Sequence, residues 1–125
     1  MREEIRNWLK QAEEDFITAE ANLKAKRYYA CAFFSQQSAE KAAKAVFLLK
    51  KGDLPRQHNL VLIGKELKVP HEIMMPLVIL NPEYVMTRYP DAAVGVPAEN
   101  YTVEIAKEKL ENAKKVMEWA KSHLK

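Results

Sequence analysis

The residues best suited to chemistry lie in a stretch that is rich in proline and small residues. Its centre is TRYPD, at residues 87–91, which places an arginine next to a tyrosine. An arginine can hold a phosphate through two parallel hydrogen bonds, and a tyrosine ring can stack on a base. Arg88, Tyr89 and Asp91 are therefore candidate ligand- or partner-binding residues. The alternative is structural: Arg88 pairs with Asp91, Pro90 sets a turn and Tyr89 covers the core.

The histidines and the single cysteine do not form a recognisable metal site. His58, His71 and His123 match no usual metal-binding spacing, and Cys31 has no second cysteine with which to share a metal. The chain also lacks a glycine-rich phosphate loop and the GxSxG motif of a serine nucleophile. Motifs alone therefore predict no catalytic residue, no metal and no cofactor.

A second polar group follows an apolar run near the middle of the chain. Gln36 and Gln37 closely follow seven apolar or aromatic residues, so their amides should be partly buried and need hydrogen-bond partners. Glu40 and Lys44 continue the face of Gln36 at a four-residue spacing, in the order that favours an ion pair on a helix. These four residues are candidate contacts to a ligand or a second subunit. The alternative is a solvated helix face with one weak ion pair.

The elements that must position these residues are predicted to be helices. From Ile5 to about Lys26 apolar residues recur every three or four positions, and a second helix should run from about Arg27 to Lys50, before Gly52. A short helix is expected at about residues 58–68.

Two prolines mark the following segment, which should end near Glu83. Pro70 suits the first turn of a helix, whereas Pro76 predicts a kink or a true start near Met75. Thr102 is a plausible N-cap for the last helix. With no strand-like alternation, residues 1–125 are predicted to form one all-α domain, an antiparallel up-down bundle of four long helices plus one short helix.

The start of the second helix is apolar on too many sides for one bundle. A helix that is apolar all round must be buried all round, and its neighbours can cover only one or two faces. We therefore predict that this part of the helix forms a homodimer interface, the alternative being that it is simply the central helix. The candidate interface residues are Tyr28, Tyr29, Phe33 and Phe34.

Composition sets broad limits on function. The chain has 125 residues, 48% of them hydrophobic and 30% charged, which is typical of one soluble domain. Its net charge of +3 neither requires nor excludes RNA. No apolar stretch is long enough to span a membrane and no signal peptide is evident, so a cytoplasmic location is expected.

Three segments, taken in order, resemble a HEPN domain: AEEDFITAEANLKAKRYYACAFFSQQSAEKAAKAVFLLKKG, then PRQHNLVLIGKEL, then LNPEYVMTRYPDA. The resemblance covers about residues 5–124, and its most specific parts are QQSAEKAAKA, the H-[ND]-L start of the short helix, and TRYPD. It implies a bundle of four long helices plus a short one, and dimerisation. It also implies nucleotide binding and, for small stand-alone members, pairing with a separate minimal nucleotidyltransferase.

Many HEPN proteins are metal-independent ribonucleases with an Arg-x4-6-His motif whose two side chains meet across the dimer. That motif is absent here, because no histidine follows Arg88 within the rest of its loop, and Arg56 is only two residues before His58. A ribonuclease that cyclises the 2′-oxygen needs a group to move protons, a task suited to histidine.

Three hypotheses follow. The first is a non-catalytic, homodimeric binding module that pairs with a minimal nucleotidyltransferase and helps to bind nucleotide or substrate. The second is an atypical ribonuclease, a toxin of a toxin–antitoxin pair, that uses Arg88 with His58 approaching in three dimensions. The third is a structural homodimer without a ligand. The separation of His58 and Arg88 distinguishes the first two.

Overall fold

A computed structural model describes residues 2–90, 92 and 95–124, and these form helices joined by short connections. The prediction of an all-α fold is confirmed. The elements in chain order are α1 (Glu3–Lys24), α2 (Tyr28–Lys51), α3 (Leu60–Leu67), α4 (His71–Leu80), α5 (Glu83–Met86), a 3-10 turn (Pro97–Glu99) and α6 (Val103–His123).

Helices α1, α2, α4 and α6 run up and down in turn around one core. At one end Cys31 of α2 lies against Ala106 near the start of α6, with Sγ 3.7 Å from the carbonyl oxygen. At the other end Leu48 of α2 shares an apolar cluster with Ile5 and Leu124. Helices α2 and α6 are therefore parallel, and α1 is antiparallel to both.

Small residues let α1 and α2 pack closely. Ala12 of α1 and Ala39 and Ala42 of α2 are fully buried in the main core. Ser38 donates a hydrogen bond to the Ala12 carbonyl at 2.7 Å, so the two backbones are in near contact. This close packing fixes the position of the polar face of α2 along the axis of α1.

The starts of the middle helices differ from the prediction. Helix α3 begins at Leu60 rather than near His58, because the Asn59 side chain accepts a hydrogen bond from the Leu62 amide and acts as N-cap. Helix α4 begins directly after Pro70 and continues through Pro76, so the alternative of a start near Met75 is wrong, and the kink at Pro76 stays a prediction.

A buried carboxylate closes the base of the segment that carries Arg88. Glu83, at the start of α5, is 6% exposed, receives a hydrogen bond from the Tyr101 hydroxyl, and lies 3.2 Å from Lys109 Nζ of α6. Lys109 also donates to the Ile79 carbonyl at the end of α4. Burial, together with the Glu83 charge, raises the pKa of Tyr101. We call Glu83, Tyr101 and Lys109 the Glu83 clamp.

The Thr102 side chain accepts a hydrogen bond from the Ile105 amide, which confirms the predicted N-cap of the last helix. None of the described helices is both long and apolar enough to cross a membrane.

Candidate functional site

The polar face of α2 is buried rather than solvated. Gln36 is fully buried, and its amide donates to Glu40 Oε1 at 2.9 Å while its oxygen accepts from Gln37 Nε2 at 2.7 Å. Lys44 forms the predicted i, i+4 ion pair with Glu40 at 2.7 Å. The partners of the Gln36 amide are thus side chains of the same chain, and the alternative of a solvated face is wrong.

Glu40 connects this face to His58. Its Oε2 lies 2.7 Å from His58 Nδ1, and the Glu40 side chain is 5% exposed whereas that of His58 is 58% exposed. Burial alone would raise the pKa of the Glu40 carboxyl, but hydrogen bonds from Lys44, His58 and Gln36 together outweigh it and lower that pKa. Because an ionised carboxylate only accepts, it keeps the proton on Nδ1 and leaves Nε2 free.

His58 and Arg88 both contact the ring of Tyr84. The His58 and Tyr84 rings stack at a centroid distance of 5.1 Å and an angle of 10°. The Arg88 guanidinium carbon lies 4.9 Å from the centre of the same tyrosine ring. It also lies 5.3 Å from the Tyr89 ring centre and 5.8 Å from that of Phe33. A cation held among aromatic rings keeps its charge while losing conformational freedom.

An open groove of about 380 Å³ adjoins the stacked rings. Its position beside the exposed face of His58 makes it the natural place for a ligand. It is lined by His58, Asn59, Asn81, Pro82, Tyr84, Val85 and Met86.

The arrangement contains the parts of a proton-transfer and phosphate-binding site. His58 Nε2 can take or give a proton, Glu40 orients the imidazole, and the Arg88 guanidinium can neutralise an oxyanion. Among the described residues no group of three or more His, Cys, Asp or Glu side chains could hold a metal ion.

The remaining residues predicted for ligand or partner binding have different positions. Tyr89 is 44% exposed and contacts Arg88. Asp91 lies outside the described residues, so its predicted pairing with Arg88 stays a prediction. The neighbouring Lys41, which was not predicted as a site residue, pairs with the buried Asp15 of α1.

The predicted dimer residues lie at the start of α2, next to the site. Tyr28, Tyr29, Phe33 and Phe34 are half-buried in the single chain. Phe33 and Phe34 contact each other edge to face at 5.2 Å, and Phe33 also contacts Arg88. The dimer interface itself stays a prediction.

Sequence reasoning did not single out the amides of Asn59 and Asn81 or the ring of Tyr84. Asn59 was visible as a helix start in H-[ND]-L, but nothing local shows that Asn81 reaches α3. Its Oδ1 accepts from the Leu60 amide at 2.8 Å, across 21 residues of sequence.

Comparisons with known proteins identify the family. The HEPN domain pattern matches residues 5–123, and the chain belongs to the HEPN family. It is 36% identical to a protein of Methanocaldococcus jannaschii named "Putative toxin MJ1304", over 94% of this chain and 86% of that one.

Two solved structures resemble the fold closely. TT1696 from Thermus thermophilus matches with a TM-score of 0.89 and 29% identity, covering 97% of this chain and 98% of that one. ST0689, described as an archaeal HEPN homologue, matches with a TM-score of 0.84 and 32% identity over the whole of both chains.

Proposed function

We propose that this chain is a toxin-type HEPN protein that binds RNA and cleaves it at the site formed by His58, Tyr84 and Arg88. The observation that carries the proposal is the contact of both His58 and Arg88 with one tyrosine ring. The relative named as a putative toxin, 36% identical, supports the toxin part of the proposal.

The chemistry is transfer of the phosphate to the adjacent 2′-oxygen. His58 Nε2 removes the 2′-hydroxyl proton, the 2′-oxygen forms a bond to phosphorus, and the bond from phosphorus to the 5′-oxygen breaks. The leaving oxygen takes a proton from the imidazolium or from water. Arg88 stabilises the negative charge that develops on the phosphate oxygens.

In this site the histidine precedes the arginine in the chain by 30 residues instead of following it by a few. The pair is assembled by the fold, with Glu40 of α2 holding the imidazole and Tyr84 of α5 lying between the two elements. A sequence search for Arg-x4-6-His would therefore pass over it.

The second candidate is a non-catalytic binding module that pairs with a minimal nucleotidyltransferase and helps to bind nucleotide or substrate. Its support is the absence of histidine from the loop after Arg88. In both candidates the chain acts as a homodimer, with the aromatic residues at the start of α2 in the interface, and in the first the partner is the antitoxin.

Incubation of RNA with excess protein separates the two. The toxin hypothesis predicts cleavage that falls by about 10²-fold or more in Arg88→Ala, since a cation at the phosphate is lost. Arg56→Ala, which removes an exposed arginine shortly before His58, is the matched control and should cut normally. Intact RNA with the unaltered protein contradicts cleavage and favours the binding module.

A further inference from the structure

The groove beside His58 carries hydrogen-bond donors that the cleavage chemistry does not use. Two of its lining residues are asparagines whose oxygens are already engaged. Asn59 Oδ1 accepts from the Leu62 amide at 3.1 Å, and Asn81 Oδ1 accepts from the Leu60 amide at 2.8 Å.

These bonds decide which way each amide faces. A backbone N–H can donate only to the oxygen, so the Nδ2 group of each asparagine is the other arm of the amide. Neither Nδ2 donates a hydrogen bond to any residue in the described part of the chain. In Asn59 and Asn81 the Nδ2 group is therefore left to donate, while a backbone amide already uses one of the two lone pairs of each oxygen.

The rest of the groove suits a flat, mostly apolar group. Pro82, Val85 and Met86 contribute apolar surface, and the stacked His58 and Tyr84 rings contribute aromatic surface. No carboxylate is among its lining residues in the described part of the chain. A volume near 380 Å³ lies at the small end of ligand sites, enough for one nucleotide but not for a folded segment.

We propose that this groove is a base pocket, which receives the nucleobase next to the phosphate at His58 and Arg88 and prefers uracil to adenine. The inference rests on the proposed function, because it requires an RNA ligand. Uracil presents two carbonyl oxygens to the amide donors. Asparagine usually recognises adenine by accepting from N6 and donating to N7, and here a backbone amide already engages each accepting oxygen and fixes its orientation.

Binding of short oligonucleotides tests the pocket without cleavage. The probes are 2′-fluoro tetranucleotides of uridine and of adenosine, which lack the attacking hydroxyl, and the readout is the dissociation constant from fluorescence anisotropy. The unaltered protein should bind the uridine probe about tenfold more tightly, as expected for one well-placed base contact.

Asn59→Asp and Asn81→Asp isolate the donors. Each keeps an oxygen for the backbone amide, and at Asn59, the N-cap of α3, aspartate serves as well as asparagine, so the fold should be retained. The added negative charge weakens both probes alike, whereas the lost N–H groups should weaken the uridine probe more, because they are proposed to bind the two uracil carbonyls. The ratio of the two dissociation constants should fall towards one. Asn7→Asp, an exposed position on α1, adds the same charge outside the groove and should leave the ratio unchanged.

The possible results separate the base pocket from the cleavage proposal. Equal binding of both probes, a preference for adenosine, or a uridine preference that survives in both groove variants overturns the base pocket. A uridine preference that falls in the variants supports the pocket even if no RNA is cleaved, in which case only the cleavage proposal fails. If neither the uridine probe nor the adenosine probe binds, the base pocket and the proposed RNA binding are both overturned.

Discussion

His58 is oriented by a carboxylate that water barely reaches. Glu40 Oε2 lies 2.7 Å from both His58 Nδ1 and Lys44 Nζ, so one oxygen serves a histidine and a lysine. The lysine compensates the buried charge of the carboxylate, and the carboxylate fixes the tautomer of the imidazole. Glu40 therefore acts on the proposed reaction through His58, as a positioning residue.

Replacing Glu40 by glutamine should destabilise the fold at pH 7 and make it less sensitive to acid. Despite its burial, hydrogen bonds hold the pKa of Glu40 below the ordinary value of 4.5. Its ionised form therefore stabilises the fold above that pH, and the contribution is lost as the pH falls through the folded-state pKa. Urea unfolding should show a clear difference in stability between unaltered protein and Glu40→Gln at pH 7 and a smaller one at pH 3.

Glu13→Gln is the control for this measurement. Glu13 is 42% exposed and lies 3.7 Å from Lys121, a surface ion pair that contributes little to stability. Its replacement should change the free energy of unfolding by less than about 1 kcal/mol at either pH. An equal loss of stability in Glu40→Gln at pH 3 and pH 7 would contradict the account of Glu40.

At the scale of single residues, the sequence predicts contacts within one helix but not contacts between helices. The Glu40–Lys44 ion pair follows from the four-residue spacing. The contact of Glu40 with His58 depends on where the chain goes after Gly52, and no periodicity encodes that path. The contacts of Tyr84 and Arg88 cannot be read from the sequence either, because they depend on how α5 packs.

At the scale of elements, the Glu83 clamp holds both ends of the segment that carries Arg88. Glu83 opens α5, Tyr101 comes just before α6, and Lys109 joins both α4 and α5 to α6. The chain between Glu83 and Tyr101 is thus tied down at its base by buried polar contacts. Arg88 depends on this clamp for its position over Tyr84.

Removing the Tyr101 hydroxyl should loosen the segment without unfolding the bundle. Tyr101→Phe leaves Glu83 paired with Lys109, so the cost is that of one hydrogen bond to a charged group, about 2 kcal/mol. Local opening should rise, and trypsin should cut after Arg88 several-fold faster than in the unaltered protein. Mass spectrometry of a timed digest gives the rate at that peptide bond.

Tyr29→Phe is the matched control, because its hydroxyl makes only an exposed 3.4 Å contact with Arg27. It should leave the cleavage rate after Arg88 unchanged. A Tyr101→Phe protein digested at the normal rate would show that the clamp does not hold the segment.

The sequence predicted which segments are helical better than it predicted their first and last residues. The apolar stripe predicted α1, because burial repeats with the helical period there, and Gly52 marked the end of α2. Helix α3 starts later than predicted because Asn59 caps it, and α4 contains Pro76 in its interior instead of starting near it. Helix α5 is a single turn inside a segment that was predicted as loop, too short for any periodic signal.

At the scale of the whole molecule, the proposed dimer would set the surroundings of the site. Tyr28, Tyr29, Phe33 and Phe34 remain half-buried in the single chain, and Phe33 contacts Arg88. A second copy on this surface would cover apolar rings and reduce the access of water to the Arg88 charge. Exclusion of water strengthens the attraction between a guanidinium and a phosphate.

Tyr29→Asp should therefore convert a dimer into a monomer. A charge placed among aromatic rings must be desolvated on association, at a cost that an interface of modest size does not offset. Sedimentation equilibrium should give twice the 14.4 kDa mass of one chain for the unaltered protein and the single mass for the variant.

Leu49→Asp is the control, because Leu49 is 44% exposed near the other end of α2, about 30 Å along the helix from Tyr29, and its replacement should leave the dimer intact. An unaltered protein that sediments as a monomer would contradict the proposed interface. So would a Tyr29→Asp protein that remains dimeric.

The central claim is that His58 and Arg88 form one site that cleaves RNA. A double-mutant cycle of single-turnover RNA cleavage tests it most directly, with His58→Asn, Arg88→Ala and the double variant. Residues that act as a unit have effects that do not add, so each single variant should lose about 10²-fold or more and the double variant little further. Effects that multiply in the double variant, or cleavage that survives both changes, would contradict the claim.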